Sequence, residues 1–257
     1  MIFTLNHQGF REKVEIWQIS TKDTLMHALP VWFDIDGTLL HTQAGHGAFQ
    51  YALLEIFGWE DSLDDIIFAG NTDLGVLLQL AEKHGACPQD TLKRCEQFFE
   101  RMGMHLDQGL QTQKPQRVPG AIELVETLSR REDVVLRLIT GNARICAHIK
   151  LQHAGFPVHL TEGGFGDQHP DRNHIARLAH DTLHGEWPHP TSLQQGLVIG
   201  DTTRDVLAAR AINARCLAVA SGADSAEQLH AAGAERVVTE LFPTPDLLDW
   251  MFQPATS

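Results

Sequence analysis

The second half of the chain alternates short apolar segments with segments of helical periodicity, and this alternation constrains the fold more than any other feature. Runs such as Val134–Ile139 and Leu197–Ile199 are rich in aliphatic residues, which is typical of buried strands. The pattern predicts strands at 134–139, 158–160, 196–199, 216–220 and 236–238, and helices at 121–130, 143–153, 173–183, 204–212, 225–232 and 245–252. Strands that alternate with helices form a parallel sheet with helices on both faces, and such a sheet binds ligands at the carboxyl ends of its strands.

A further strand lies earlier in the chain and leads into two acidic residues. The run Val31–Ile35 is apolar apart from Asp34, and Asp36 and Gly37 follow it directly. Because Gly37 allows the backbone to turn, both carboxylates can face one cavity. Two carboxylates in one cavity can act as nucleophile and as general acid/base, and both can help to bind a hard cation. An ordinary Asp-Gly turn has the same residues, so this pattern alone leaves a site and a turn open.

Polar residues also follow two of the other predicted strands. Thr140, Gly141 and Asn142 come after the strand at 134–139, where a hydroxyl and backbone amides could hold phosphate oxygens. Asp201 and Asp205 lie where the strand at 196–199 passes into a helix. Each group could also be a simple helix cap or first-turn acid.

The composition limits the classes of partner. The chain has 257 residues, 43% of them hydrophobic, which suffices for one large domain or for a core with a smaller insertion. Acidic residues outnumber basic ones by 33 to 20 and the net charge is -13, which opposes binding to nucleic acid or to an anionic membrane. There is no apolar run of membrane-spanning length and no secretory signal pattern, so we expect a cytoplasmic protein. The cysteines lack metal-ligand spacing, which disfavours a zinc site or a disulfide.

Taken together, the acidic motifs resemble those of a known family. The segment Asp34-Ile35-Asp36-Gly37-Thr38 resembles the first signature of the haloacid dehalogenase-like hydrolase superfamily, most of whose members are magnesium-dependent phosphatases. Thr140 matches the second motif of that family, and Gly200-Asp201 with Asp205 resembles the fourth. The resemblance implies a Rossmann-like α/β core with an inserted α-helical cap, as in phosphoglycolate phosphatase-like members.

The resemblance also implies roles for these residues. Asp34 would attack phosphorus and Asp36 would be the general acid/base, while Thr140 would hydrogen-bond the phosphoryl group. Gly141 and Asn142 are predicted to bind substrate beside Thr140. Mg²⁺ would be the cofactor, and its predicted ligands are Asp34, Asp36, Asp201 and Asp205. Oxygen ligands without clustered Cys or His favour magnesium over zinc.

The third family motif, a Lys that neutralises the nucleophile and the phosphate, departs from the usual pattern. Lys150 is the only lysine between the second and fourth motifs, but it lies on the helix directly after Thr140 and is expected to point away from the site. We therefore predict that Arg172 supplies this charge, because its planar guanidinium suits carboxylate or phosphate oxygens. An exposed Arg at the start of a helix is the alternative.

The predicted cap comprises residues 43–115, in which helices are expected at 44–57, 72–84 and 88–106 before a polar, proline-containing linker at 111–120. The core would then comprise 30–42 and 116–257. Residues 1–29 would be either an extension packed on the surface or the result of a start codon assigned too early, with Met26 favoured as the true beginning. Within the cap, Asn71 and Asp73 are candidate substrate contacts or an ordinary helix cap. His41 and His46, in the hinge segment, are weaker candidates for substrate contact.

The predicted function is hydrolysis of a small-molecule phosphomonoester through an aspartyl-phosphate. The Asp at position 36 disfavours the ion-transporting, dehalogenating and phosphonate-cleaving branches of the family, which lack an acid there. Two alternatives stay open, namely a phosphomutase of sugar phosphates and a catalytically silent binding protein of the same fold.

Overall fold

The fold is an α/β structure with one parallel sheet and an additional layer of helices. The computed structural model describes residues 28–186 and 193–253, so most of the predicted N-terminal extension lies outside the described residues. In chain order the elements are β1 (Leu29–Phe33), β2 (Leu40–His41), α1 (Ala44–Phe57), α2 (Asp73–Lys83), α3 (Pro88–Leu92), α4 (Cys95–Thr112), β3 (Gln116–Arg117), α5 (Ala121–Ser129), β4 (Val134–Ile139), α6 (Arg144–Ala154), β5 (Gly163–Gly164), α7 (Arg172–Glu186), β6 (Leu197–Gly200), α8 (Thr203–Ala211), β7 (Arg215–Val219), α9 (Ala226–Ala232), β8 (Arg236–Val238) and α10 (Pro245–Phe252). None of the described helices combines the length and apolar character of a membrane span.

Six strands form the sheet in the order β5-β4-β1-β6-β7-β8, and every neighbouring pair is parallel. The predicted Rossmann-like sheet is therefore confirmed. The chain runs outward from β1 through β4 to β5, and then returns to the other side of β1 for β6, β7 and β8. Phe33 pairs with Leu138 on one side and with Ile199 on the other. The residues that follow β1, β4 and β6 consequently meet at one edge, where the strand order reverses and ligands bind in open sheets of this kind.

Alternating side chains of the strands place a hydrophobic core on each face of the sheet. On one face, Phe33 and Leu138 are fully buried among residues of α5, α6 and α10. On the other face, Trp32 and Ile139 pack with residues of α7, α8 and α9. Both faces are covered, which explains why the strands read as continuous apolar runs in the sequence.

A third hydrophobic cluster holds the helical layer formed by α1, α2 and α4. Phe49 and Phe98 are fully buried at its centre, with their ring centroids 4.9 Å apart. This cluster also includes Ala143 and Cys146 at the start of α6, so the helical layer rests on the core beside the carboxyl edge of the sheet. The antiparallel pair β2 and β3 joins the two ends of this layer to the core.

Several predicted boundaries were wrong. The strand expected at 158–160 is a turn, and the sheet instead gains β5 at Gly163–Gly164. The single helix expected at 88–106 is divided into α3 and α4, and α4 extends to Thr112 in the predicted linker. Leu29, which was assigned to the N-terminal extension, is the first residue of β1.

Candidate active site

Three carboxylates lie close together where the strand order of the sheet reverses. Oxygen atoms of Asp34, Asp201 and Asp205 lie within 4.8 Å of one another, and all three residues are buried. Asp34 follows β1, while Asp201 follows β6 and Asp205 lies in the first turn of α8. The structure thus brings together the predicted first and fourth motifs.

Arg172, at the start of α7, supplies a positive charge to this carboxylate cluster. Its Nη2 lies 2.9 Å from Asp34 Oδ1, and the same nitrogen contacts Asp205 Oδ1. Nη2 also donates to the carbonyl of Ile139 at a distance of 3.1 Å. The alternative of an exposed helix-start Arg is therefore wrong, since the residue is 5% exposed and sits against the predicted nucleophile.

One guanidinium does not offset three buried carboxylates. Burial, with repulsion from neighbouring carboxylates, raises the pKa of Asp34 to about 6 even though Arg172 opposes the rise. Burial and the charge of Asp34 raise the pKa of Asp201 to about 8. Both shifts indicate that the cluster lacks positive charge at neutral pH. A hard divalent cation with oxygen ligands fits this donor set, because it would supply that charge without any nitrogen or sulfur ligand.

Asp36 has different partners from Asp34 although the two residues are neighbours in the chain. Its Oδ2 accepts hydrogen bonds from Asn142 Nδ2 at 2.7 Å and from Lys150 Nζ at 2.6 Å. Lys150 Nζ also donates to Asn142 Oδ1 at 2.6 Å, so the three side chains form a closed network. The side chain of Asp36 stays 43% exposed to the cavity, while that of Lys150 is 7% exposed. Burial opposes the charge on Lys150, but the carboxylates of Asp36 and Asp73 raise its pKa overall.

The expectation that Lys150 points away from the site was wrong. Lys150 lies on α6 eight residues after Asn142, which is slightly more than two helical turns. Side chains on a helix tilt toward its N-terminus, and the long lysine stem covers the remaining distance. This spacing was the available signal, and it indicates that a lysine two turns into a helix can still reach the strand end that precedes it.

The backbone comes so close to the Asp201 side chain at two positions that only glycine fits there. Gly37 has φ of 80°, and a Cβ atom there would lie 2.2 Å from Asp201 Oδ2. A Cβ atom on Gly222 would lie 1.6 Å from the same oxygen. Two hydroxyl groups that sequence reasoning missed also hold this region: Thr38 Oγ1 donates to Asp201 Oδ1 at 3.2 Å, and Ser221 Oγ donates to the Gly37 carbonyl at 2.6 Å.

The predicted phosphate-binding turn lies beside Asp36. Gly141 and Asn142 line the cavity, whereas Thr140 is fully buried behind them. Thr140 Oγ1 accepts hydrogen bonds from Asn142 Nδ2 at 2.8 Å and from Asn142 N at 3.3 Å. Bonds within the turn therefore help to maintain its conformation.

A cavity of about 560 Å³ extends from the carboxylates to the helical layer. Its volume is in the range of small-molecule sites. The four candidate contacts outside the sheet edge all line it, namely His41, His46, Asn71 and Asp73. Their side chains differ in their partners: Asn71 Nδ2 donates to the carbonyl of Ile67 at 2.6 Å, while Asp73 Oδ2 accepts from the backbone amide of Ala143 at 2.6 Å.

A family model described as haloacid dehalogenase-like hydrolase matches residues 31–219. The chain therefore belongs to this family of hydrolases, and the sequence-based assignment of the family is confirmed. No curated protein matches the chain.

Solved structures show the same fold over most of the chain. A hydrolase from Pseudomonas syringae is 25% identical, with 87% of this chain and 98% of the other covered and a TM-score of 0.62. A protein described as a predicted phosphatase from Clostridium acetobutylicum is 19% identical over 86% of this chain and 96% of the other, with a TM-score of 0.59. A variant of CbbY from Rhodobacter sphaeroides, in complex with xylulose-1,5-bisphosphate, is 17% identical over 85% and 96% of the two chains, with a TM-score of 0.63.

Proposed function

We propose that this hydrolase is a magnesium-dependent phosphatase that cleaves a small-molecule phosphomonoester through an aspartyl-phosphate on Asp34. The observation that carries the proposal is the unequal environment of two neighbouring acids. Asp34 is buried beside Arg172 and two further carboxylates, whereas Asp36 faces the cavity and contacts Lys150 and Asn142. A nucleophile and a proton carrier need such different surroundings.

In the first step, an Asp34 carboxylate oxygen attacks phosphorus opposite the ester oxygen. The new bond from Asp34 to phosphorus forms as the ester bond breaks, and Asp36 donates its proton to the departing alkoxide. In the second step, Asp36 takes a proton from water while the water oxygen attacks phosphorus. The bond to Asp34 then breaks, and inorganic phosphate leaves with both carboxyl groups restored to their initial state.

The remaining residues orient the phosphoryl group and balance its charge. Backbone amides of the turn at Gly141 and Asn142, with the hydroxyl of Thr140 behind them, would hold phosphoryl oxygens. Arg172 would neutralise part of the charge on Asp34. Mg²⁺ would be held by Asp34, the backbone carbonyl of Asp36, Asp201 and Asp205, where it offsets repulsion between the anionic nucleophile and the anionic substrate.

Lys150 adds a function that the family resemblance did not assign to it. Its ammonium group and the side-chain amide of Asn142 both bond Oδ2 of Asp36, so the carboxyl group can rotate little between the two proton transfers. Asn142 also contacts Thr140, which links the proton carrier to the phosphate-binding turn. We expect this network to keep Asp36 within reach of both the leaving group and the attacking water.

The test is phosphate release from a panel of metabolite phosphomonoesters, with and without Mg²⁺, by the wild type and by Asp34→Asn. Release that requires Mg²⁺ and disappears in the variant supports the proposal. If no phosphate is released and the phosphoryl group moves from one hydroxyl oxygen of a sugar phosphate to another, the protein is a phosphomutase. If neither reaction occurs with any ester, the catalytically silent binding protein becomes the better account.

A further inference from the structure

Asp73 joins the cap segment, residues 43–115, to the phosphate-binding turn. We propose that Asp73 is a positioning residue, and that its bond to the Ala143 amide fixes the turn at Thr140–Asn142 and helix α6 in their reactive arrangement. This inference rests on the proposed function, and it assigns Asp73 a role other than the direct substrate contact expected from the sequence.

Asp73 bonds the core through both its backbone and its side chain. The Asp73 amide donates to the Gly141 carbonyl at 2.7 Å, and Asp73 Oδ2 accepts from the Ala143 amide at 2.6 Å. Asp73 therefore bonds the residues on both sides of Asn142, which itself holds Asp36. One residue of the cap segment thus bonds both sides of the turn that we propose binds the phosphoryl group.

Neighbouring contacts allow little movement at this junction. The amide of Leu74 donates to the Gly166 carbonyl at 3.0 Å, and Thr72 Oγ1 donates to the Pro170 carbonyl at 3.0 Å. A Cβ atom on Gly141 would lie only 1.9 Å from the carbonyl oxygen of Asn71. The backbones of the cap segment and of the core are therefore in direct contact, without intervening side chains.

Helix α6 lacks a side-chain cap of its own. Ala143 occupies the N-cap position, and no side-chain cap bond is present there. An alanine side chain has no acceptor, so the first amides of the helix depend on groups from elsewhere. The carboxylate of Asp73 accepts the amide hydrogen of the N-cap residue Ala143 and places negative charge at the positive end of the helix dipole. Since α6 carries Lys150, the cap segment influences both the turn and the lysine that holds Asp36.

Several charged or titratable side chains interact electrostatically with Asp73. They are Lys150, which favours its ionised form, and Asp36 and Asp167, which oppose it; the thiol of Cys146 also faces it. Burial is the largest influence and raises the pKa of Asp73 to about 6. Asn at this position keeps an oxygen that can accept the Ala143 hydrogen but carries no charge, so it separates the hydrogen bond from the ionisation.

Two variants and one control test the inference. Asp73→Ala removes the acceptor, while Asp73→Asn retains it. Asp61→Ala is the control, because Asp61 also accepts a backbone amide hydrogen, from Leu63 at 2.9 Å, but its hydrogen-bond partners Leu63, Lys83 and His84 all lie within the cap segment.

Hydrogen exchange in the full-length, metal-free protein measures directly how well the Ala143 amide is protected by its bond to Asp73. We expect the amide of Ala143 to exchange about tenfold faster in Asp73→Ala, which corresponds to the loss of a typical helix cap. Asp73→Asn and Asp61→Ala should exchange at that amide as the wild type does. Unchanged exchange in Asp73→Ala would overturn the inference, and this readout does not depend on whether the protein hydrolyses phosphate esters.

Kinetics report the consequence for the reaction. We expect KM for the best ester and Ki for inorganic phosphate each to rise about tenfold in Asp73→Ala, with recovery in Asp73→Asn. A merely structural role would lower the fraction of active enzyme and leave both constants unchanged, as expected for Asp61→Ala, and that result would also overturn the inference. Wild-type protein that turns over no ester would refute the proposed phosphatase, while the exchange result would still decide whether Asp73 holds the turn.

Discussion

The two sides of the cavity are built differently. On the sheet side, the functional groups are buried charges with several partners each, such as Arg172 between Asp34 and Asp205. On the cap side, His46 is exposed, as is His41 just before the cap segment, and the side chain of Asn71 bonds the carbonyl of Ile67 in its own loop. Buried and mutually bonded groups suit a reaction that requires fixed geometry. Side chains with few fixed partners suit recognition of a leaving group, because substitution of one such residue can change the preferred substrate without disturbing the reacting groups.

The largest effect in this comparison should come from Arg172→Met, which leaves the buried carboxylates without their guanidinium. We expect the free energy of unfolding in metal-free buffer to fall by about 3–5 kcal/mol, because the change leaves a buried charge uncompensated. Mg²⁺ should restore more stability to this variant than it adds to the wild type, as measured by denaturant unfolding with and without the ion. The control is Arg215→Met, since Arg215 is also buried but bonds backbone carbonyls of residues 250, 251 and 253. Equal Mg²⁺ effects in both variants would refute the charge balance described above.

The next largest effect should come from Lys150→Met. We expect kcat to fall about 100-fold, because Asp36 loses a partner that fixes its position for proton transfer, while KM changes little. Steady-state kinetics with the best ester measure this. Lys83→Met is the matched control, because Lys83 is also ion-paired, with Asp61 at 3.0 Å and Asp65 at 2.8 Å, but on the exposed surface of the cap segment. A pure KM effect in Lys150→Met would mean that the lysine binds substrate instead of holding Asp36.

Asp73 lies at the junction between the two sides, and its contribution to the free energy of unfolding should depend on pH. Asp73 binds its proton more tightly in the folded protein, with a pKa of about 6, than in the unfolded chain, for which 3.8 is the reference. Its contribution to stability is therefore complete below about pH 4 and is lost as the pH rises to about 6. Asp73→Asn lacks this loss, so its stability relative to the wild type should increase over that range by at most about 3 kcal/mol. Denaturant unfolding of both proteins between pH 4 and 8 without metal measures the difference, and a difference that is constant with pH would contradict the prediction.

The smallest effect should come from the cap side. His46 is exposed and its ring lies 5.8 Å from that of Phe68, so His46→Ala should change KM by about threefold or less and leave kcat unaltered. Kinetics with two esters that differ only in the leaving alcohol would show whether the change depends on the alcohol. His105→Ala is the control, since His105 lies in α4 outside the cavity and pairs with Glu55. A fall in kcat as large as that of Lys150→Met would remove the distinction between the two sides.

The sheet side could be predicted from the sequence more completely than the cap side. Asp34, Asp36, Asp201 and Asp205 follow strong apolar strands, and strand ends in a parallel sheet converge for topological reasons that the sequence pattern carries. The strand β5 was misplaced because its two residues, Gly163 and Gly164, have no side chains that favour a strand. It exists through its pairing with Leu138 and Ile139, which is a tertiary effect.

The roles of Lys150 and Asp73 could be assigned only from the structure, for a related reason. The direction of a helical side chain depends on how the helix is rotated against the sheet, and α6 is oriented by the cores on both of its sides. The contact of Asp73 with Ala143 joins residues 70 positions apart in the chain, and alanine carries no sequence signal for an interaction with an acid. Local patterns therefore predicted which strand ends carry the acids, but not which helix directs a charge toward them.

The most direct test of the proposed mechanism is to identify the residue that receives the phosphoryl group. We would mix the enzyme with its best ester and Mg²⁺, quench in acid within the first turnover, and analyse peptides by mass spectrometry. We expect one added phosphoryl group on Asp34, labile in base and absent from Asp34→Asn. Rapid ester hydrolysis with no label on Asp34, or with the label on another residue, would contradict the mechanism.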